Sequence, residues 1–407
     1  MLFTLRMEMG RAMSVLAVIL AVLVGCGGEY GGSEGGPSTP PAPTTTADGT
    51  PAAPPSSDVP PPPPPPKPIA VAPEDLEKWV WIPIAGTRCA DDSEAGIGVN
   101  FTNQSRELVV FFQGNGVCYD ALTCNLFKDL LVGMGPDPIE HLWWGNEKAG
   151  EVGIFDRSDA TNPFRKSNFV VFPHCTIDAH TADKDSEYPG VGVVHQHGYA
   201  NVTKALPLIV PTFADATRVV VAGFSAGGIG ATANYHQIAT AFEAVGKPPP
   251  LLINDSGPIL RPPFLSKGAQ DRLRAGWGLD VTLDAFCPKC ASDGLHAIYE
   301  TIAELHPGVR SSQLCAYSDS VVTMLYRLLN TDINVFDGTK LRNGLFDLEG
   351  WMADGQTRLA PSAHRSYYFV GDQHGTMVVG PLKDRAGLTA FLTAQVEGDS
   401  TWATVKP

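Results

Sequence analysis

Residues 218–228, RVVVAGFSAGG, constrain the fold more than any other stretch of this chain. The β-branched run Val219-Val220-Val221 suits a buried strand, and residues 230–239 suit a helix. Between them stands Gly223-Phe-Ser225-Ala-Gly227. A strand that turns so sharply into a helix leaves room only for small residues on either side of the serine. The hydroxyl is then presented at a sheet edge, at the positive end of the helix. The pattern predicts a nucleophile elbow with Ser225 as the nucleophile. A glycine-rich strand–turn–helix that merely contains a serine is the plainer reading, and the apolar run before it weighs against that.

Short apolar runs recur at 109–112, 169–172, 219–222, 251–254 and 367–370, separated by loops and helical stretches. Buried strands alternating with helices predict an α/β fold, with a central, mostly parallel sheet flanked by helices in the α/β-hydrolase manner. Residues 73–407 have no further linker-like stretch and are expected to form this one domain.

A nucleophilic serine needs a base, an orienting acid and an oxyanion hole. In such folds the chain order is nucleophile, acid, histidine. Residues 367–370 read as the last main strand, and Gly371-Asp-Gln-His374-Gly375 follows directly, so His374 is the expected base. His364 precedes that strand and His306 lies in a helical stretch, so both fit less well. Residues 313–318 read as the preceding strand, with Asp319 after it as the expected acid and 321–329 as the helix behind. Asp332 and Asp337 compete for that role, whereas Asp372 is too near His374 in sequence to orient it. One oxyanion donor should be the N–H of Ala226, next to the nucleophile. The others should come from the glycine-bearing loop Gln113-Gly-Asn-Gly116-Val117-Cys118 that follows the 109–112 run.

The N-terminus bears on compartment. Arg6 and Arg11 precede an apolar stretch at 12–24, which is too short to span a bilayer but has the length of a signal-peptide core. Leu23-Val24-Gly25-Cys26 looks like a bacterial lipobox, with 1–25 as signal peptide and Cys26 as the lipidated mature terminus. An ordinary cleaved secretory signal is the alternative. Residues 26–72 are mostly Gly, Pro, Ser, Thr and Ala, a composition that cannot bury enough apolar surface to offset ordering entropy. The seven prolines at 60–66 predict a stiff spacer, roughly 20 Å long at ~3.1 Å per residue. The expected layout is a disordered stalk holding a monomeric domain off a membrane of the bacterial cell envelope, at the outer membrane or the cell surface. The membrane is engaged only through the lipid.

The net charge of −14 argues against nucleic acid and polyanionic surfaces as partners. Of eight cysteines, seven remain after Cys26, so at least one is unpaired in an oxidising compartment. Cys118 and Cys124 are close enough to staple one loop. Cys287-Pro-Lys-Cys290 suggests a local disulfide, or bridges to Cys315 or Cys89, rather than a zinc site, because no second pair or histidine cluster accompanies it.

Several of these segments resemble one family. Gln113-Gly-Asn-Gly-Val-Cys118 is similar to the Glu-Gly-Gly-Gly-Trp-Cys loop of pectin acetylesterases and Notum-type carboxylesterases, and Gly223-Phe-Ser-Ala-Gly-Gly228 to their nucleophile motif. Asn162-Pro163, then Pro173-His-Cys-Thr-Ile-Asp178, His197-Gly-Tyr-Ala-Asn201 and Asp255-Ser-Gly257 resemble further family segments, in the same order. The resemblance implies an α/β-hydrolase-like fold, a Ser225–Asp319–His374 triad, oxyanion N–H groups from Gly116, Val117 and Ala226, and neither metal nor cofactor. Gln113, Asn115 and Val117 depart from the family's glutamate, glycine and tryptophan, which puts the pocket wall in question more than the hole. Asp178 and His180 lie near the expected site or serve its loops. The expected substrate is an ester, with an acetylated glycan ahead of a fatty-acyl group. A catalytically inactive, surface-displayed binding module is the competing class.

Overall fold

In the computed structural model, residues 67–135, 137–142, 150–333, 335–353 and 363–407 are described. The expected signal peptide, Cys26 and the proline run lie outside these residues. Eight strands form one sheet: β1 (Val80–Pro83), β2 (Gly96–Asn100), β3 (Glu107–Phe112), β4 (Asn168–Phe172), β7 (Arg218–Phe224), β8 (Leu251–Asp255), β9 (Ser311–Ala316) and β10 (His364–Phe369). Their spatial order is β1-β2-β4-β3-β7-β8-β9-β10. The pairings from β4 through β3, β7, β8 and β9 to β10 are parallel, whereas β1–β2 and β2–β4 are antiparallel. A separate hairpin joins β5 (Lys184–Tyr188) to β6 (Gly192–Gln196).

The central strands are apolar on both faces because helices cover both. Alternate residues of β3 enter opposite cores: Leu108, Val110 and Phe112 on one side, Val109 and Phe111 on the other. The first core is closed by helices Gly198–Thr212 and Ala226–Glu243, through Val202, Ile209, Ile238 and Phe242. The second is closed by the helix Leu388–Glu397, through Phe391, Leu392 and Val396. Ile69 and Val71, just ahead of residue 73, also pack against the first core. Among the described residues, no helix is long and apolar enough to cross a membrane.

This is the α/β-hydrolase-like arrangement expected from the strand pattern. Parallel strands point their carboxyl ends to one edge, where ligands of open α/β sheets bind. The loops after β3, β4, β7, β8, β9 and β10 therefore converge there, and they carry Ser225, Asp319 and His374. Three disulfides are present among the described residues: Cys89–Cys175, Cys118–Cys124 and Cys287–Cys290. Cys315 is a buried free thiol on β9.

Candidate active site

Ser225 follows β7 and caps the helix Ala226–Glu243, with φ 58° and ψ −126°. A non-glycine residue held there is strained, and it persists only because its surroundings over-determine it. Its N–H donates to the Asp255 carbonyl at 2.7 Å, and its own carbonyl accepts from the Gly228 N–H at 2.8 Å. The flanking glycines are obligatory for close approach. A Cβ on Gly223 would lie 1.9 Å from the Gly227 carbonyl oxygen, and one on Gly227 would lie 2.0 Å from that of Phe112.

His374 lies in the loop after β10, and its Nδ1 is 2.9 Å from Oδ2 and 3.0 Å from Oδ1 of Asp319. Asp319 is fully buried after β9 and caps the helix Ser320–Leu329, where Oδ1 accepts from the N–H groups of Val321 and Val322 at 3.0 and 2.9 Å. Those bonds and the helix N-terminus suit a carboxylate. The His374 ring packs on Phe224, with ring centroids 4.8 Å apart. The competing acids are engaged elsewhere: Asp332 accepts from the Ser266 hydroxyl at 2.6 Å, and Asp337 from the Lys340 N–H at 2.9 Å. His364 is the first residue of β10, and its Nδ1 meets the Ser311 hydroxyl. His306 caps a helix and faces Glu243 and His236.

Ser225 and His374 line one cavity of about 480 Å³ together with Gly116, Val117 and Ala226. Asn115 also lines it, and the rest of its wall is mostly apolar, including Phe127, Leu130, Phe224, Met324 and Leu325. A cleft of about 600 Å³ beside Trp79 and Arg157 holds none of the expected site residues. Ala226 opens its helix, so its N–H has no acceptor within that helix. The Gly116 N–H, by contrast, donates to the Asn115 side-chain oxygen at 2.9 Å. The residue that replaces a glycine of the resembled motif thus occupies one of the three expected oxyanion donors.

The loop behind these donors is pinned from several directions. Cys118 donates its N–H to the Ile177 carbonyl at 2.8 Å, and its carbonyl accepts from Gln196 Nε2 at 2.6 Å and Trp277 Nε1 at 2.8 Å. His180 Nε2 meets the Gln113 carbonyl at 2.8 Å. Burial holds the His180 imidazole well below its usual range, at about 4, against the opposing pull of that bond. Asp178 is fully buried and accepts from Thr176 Oγ1 and from the N–H groups of His180 and Gly198, at 2.7 to 2.9 Å. Both residues serve the loops, and neither lines the cavity.

Asp255 was read from the sequence only as part of a resembled motif, yet it organises the site. Its fully buried Oδ2 accepts from the N–H groups of Thr376 and Met377, each at 2.7 Å, while the Ser256 hydroxyl accepts from the Gly375 N–H at 3.1 Å. The loop bearing His374 is therefore moored to the end of β8. Burial pushes the Asp255 carboxyl up, and those backbone donors pull it back.

Comparison with known proteins covers the first half of this geometry. Residues 80–257 match the Pectinacetylesterase family. That segment, 178 of the 407 residues, is similar to the family. It carries the Gln113–Cys118 loop, the elbow and Asp255, and it ends before Asp319 and His374, so these two are joined to it by geometry alone. Palmitoleoyl-protein carboxylesterase notum2 of Xenopus laevis is 25% identical over 160 residues, 38% of this chain and 31% of the relative. Human palmitoleoyl-protein carboxylesterase NOTUM is 25% identical over 180 residues, 43% of this chain and 34% of the relative. The chain thus spans about a third of the length of the curated relatives it matches.

Proposed function

We propose that this protein is a carboxylic ester hydrolase that works through a Ser225 acyl-enzyme. The observation that carries this reading is the shared cavity: the strained elbow serine and a histidine paired with a buried carboxylate open onto the same space. His374 takes the Ser225 proton as the hydroxyl attacks the ester carbonyl, then returns it to the leaving alcohol. Asp319 fixes the tautomer that leaves Nε2 free and stabilises the imidazolium that forms. Ala226 and Val117 offer N–H groups to the developing oxyanion, and Gly116 joins them once the Asn115 side chain turns away. Hydrolysis of the acyl-enzyme repeats the sequence with water.

The family name speaks of acetyl groups and the relatives' names of palmitoleoyl groups, so the acyl length must come from the pocket. The acyl chain is assigned to the apolar wall formed by Phe127, Leu130 and Leu325. Acetyl esters, including those of glycans, fit this wall, and its apolar character supports chains of several carbons as a second reading. A p-nitrophenyl ester series on the full-length protein tests this. Each methylene is worth about 1–3 kcal/mol at most, so kcat/KM should change gradually and then fall beyond about eight carbons. A steady rise to sixteen carbons would favour a fatty-acyl deacylase, and inactivity toward every ester would favour a binding module. For location, the lipobox-like segment ending in Cys26 supports lipid attachment to a bacterial envelope membrane.

A further inference from the structure

We propose that the β5–β6 hairpin carries a divalent transition-metal site, of zinc type, formed by Asp185, His195 and His197. Asp185 and His195 are directly paired across the hairpin, and His197 follows the end of β6 as the N-cap of the helix Gly198–Thr212. Asp185 Oδ1 lies 2.6 Å from His195 Nδ1 and 2.9 Å from His197 Nε2, and the three donor atoms fall within 4.8 Å of one another. Two imidazole nitrogens and one carboxylate oxygen are a ligand set that zinc favours, with water completing a tetrahedron. Zinc distances of ~2.0–2.1 Å place tetrahedral donors about 3.3 Å apart, so the two Asp185 pairs need separate by less than about 1 Å, and the two imidazole nitrogens, within 4.8 Å of each other, need close by no more than about 1.5 Å.

A second feature points the same way. His197 Nδ1 lies 2.7 Å from Asp183 Oδ1. A carboxylate oxygen only accepts, so His197 donates from Nδ1 to Asp183 and from Nε2 to Asp185; a metal would take the place of the Nε2 proton and leave Asp183 on Nδ1, the carboxylate–histidine–metal arrangement of outer-sphere support. Both imidazoles are mostly buried, whereas Asp185 is half exposed, which leaves an approach from solvent.

One group opposes the cation. Arg88 places Nη1 3.5 Å from both Asp185 and His197 Nε2, while its Nε donates to Asp92 at 2.5 Å. The Asp92 contact gives the guanidinium somewhere to remain when a metal enters. The site also has a structural consequence, because Gln196, between the two histidines, holds the Cys118 carbonyl of the Gln113–Cys118 loop. A metal on one face of the hairpin would steady the residue that supports this loop from the other.

Zinc ion titrated into the full-length, metal-stripped protein against a chromophoric chelator tests the site. One zinc per chain is expected, with a raised unfolding temperature. His195→Ala and Asp185→Asn should each weaken binding at least tenfold, and Asp183→Asn about tenfold through the outer-sphere bond. Arg88→Gln should tighten binding, which a mere hydrogen-bonded cluster would not do. Asp185→Asn preserves volume, so circular dichroism of that variant separates lost ligation from lost folding. Absence of stoichiometric zinc, or zinc that survives His195→Ala and is lost in His236→Ala, would overturn the assignment.

Discussion

Asp255 offers a sharp test of how the His374 loop is held. Removing its side chain leaves the Thr376 and Met377 N–H groups, now bonded at 2.7 Å, without acceptors in a fully buried place. An orphaned buried donor costs about 1–3 kcal/mol, so Asp255→Ala should destabilise by about 2–6 kcal/mol before any cavity term. Asp255→Asn keeps one oxygen for both donors. It loses charge assistance but also sheds a charge that burial disfavours, so its net cost should be about 1 kcal/mol or less. The catalytic effect should follow the same order. A displacement of about 1 Å in the base costs on the order of 10²-fold, so Asp255→Ala should lose about that much kcat/KM per folded molecule, mostly in kcat. Asp255→Asn should stay within about tenfold of the parent. Urea unfolding together with ester hydrolysis reads both quantities. If Asp255→Ala keeps parental kcat and loses less than about 1 kcal/mol, the mooring described here is wrong.

Three other expectations can be checked directly. Burial lowers the His180 imidazole from 6.5 to about 4, so the folded state binds fewer protons than the unfolded chain in that window. Its contribution is complete above pH 6.5 and is lost as the pH falls toward 4, amounting to about 3 kcal/mol; unfolding free energy measured against pH should show this slope, and His180→Gln should flatten it. Asn115→Gly frees the Gly116 N–H, so kcat should rise severalfold if that group serves the oxyanion, and an unchanged kcat would remove Gly116 from the hole. Mass spectrometry of the mature protein from a bacterial host should find a diacylglyceryl-modified Cys26, and an unmodified terminus downstream of Cys26 would exclude the lipid anchor.

The legible parts of this fold are those in which local chemistry and tertiary context agree. The β-branched, two-face-buried runs of β3, β4, β7 and β8 are recognisable without neighbours, and so is the elbow, because steric exclusion around Ser225 leaves few alternatives. The antiparallel edge and the separate hairpin were not legible: β2 reads GIGVN, broken by two glycines, and β5 reads KDSEY, mostly charged and polar. The His195-x-His197 pair passed unnoticed because its third and fourth partners lie on the unrecognised facing strand, Asp185, and just before it, Asp183. Asp255 was visible only as part of a motif. Its partners lie about 120 residues downstream and are backbone N–H groups, which leave no side-chain signature. The Asn115 contact with the Gly116 N–H depends on one rotamer, which sequence does not specify. His374 and Asp319 could be picked out because chain order after successive parallel strands is a topological constraint rather than a compositional one.

The central claim is that Ser225 is a nucleophile activated by His374, and a fluorophosphonate probe tests it most directly. The full-length protein should be labelled stoichiometrically, with the adduct on the peptide containing Ser225, and labelling should track the loss of esterase activity. Ser225→Ala should abolish both, and His374→Ala should come close to it because the two act as a unit. Labelling of another residue, or turnover by Ser225→Ala within about tenfold of the parent, would contradict the account.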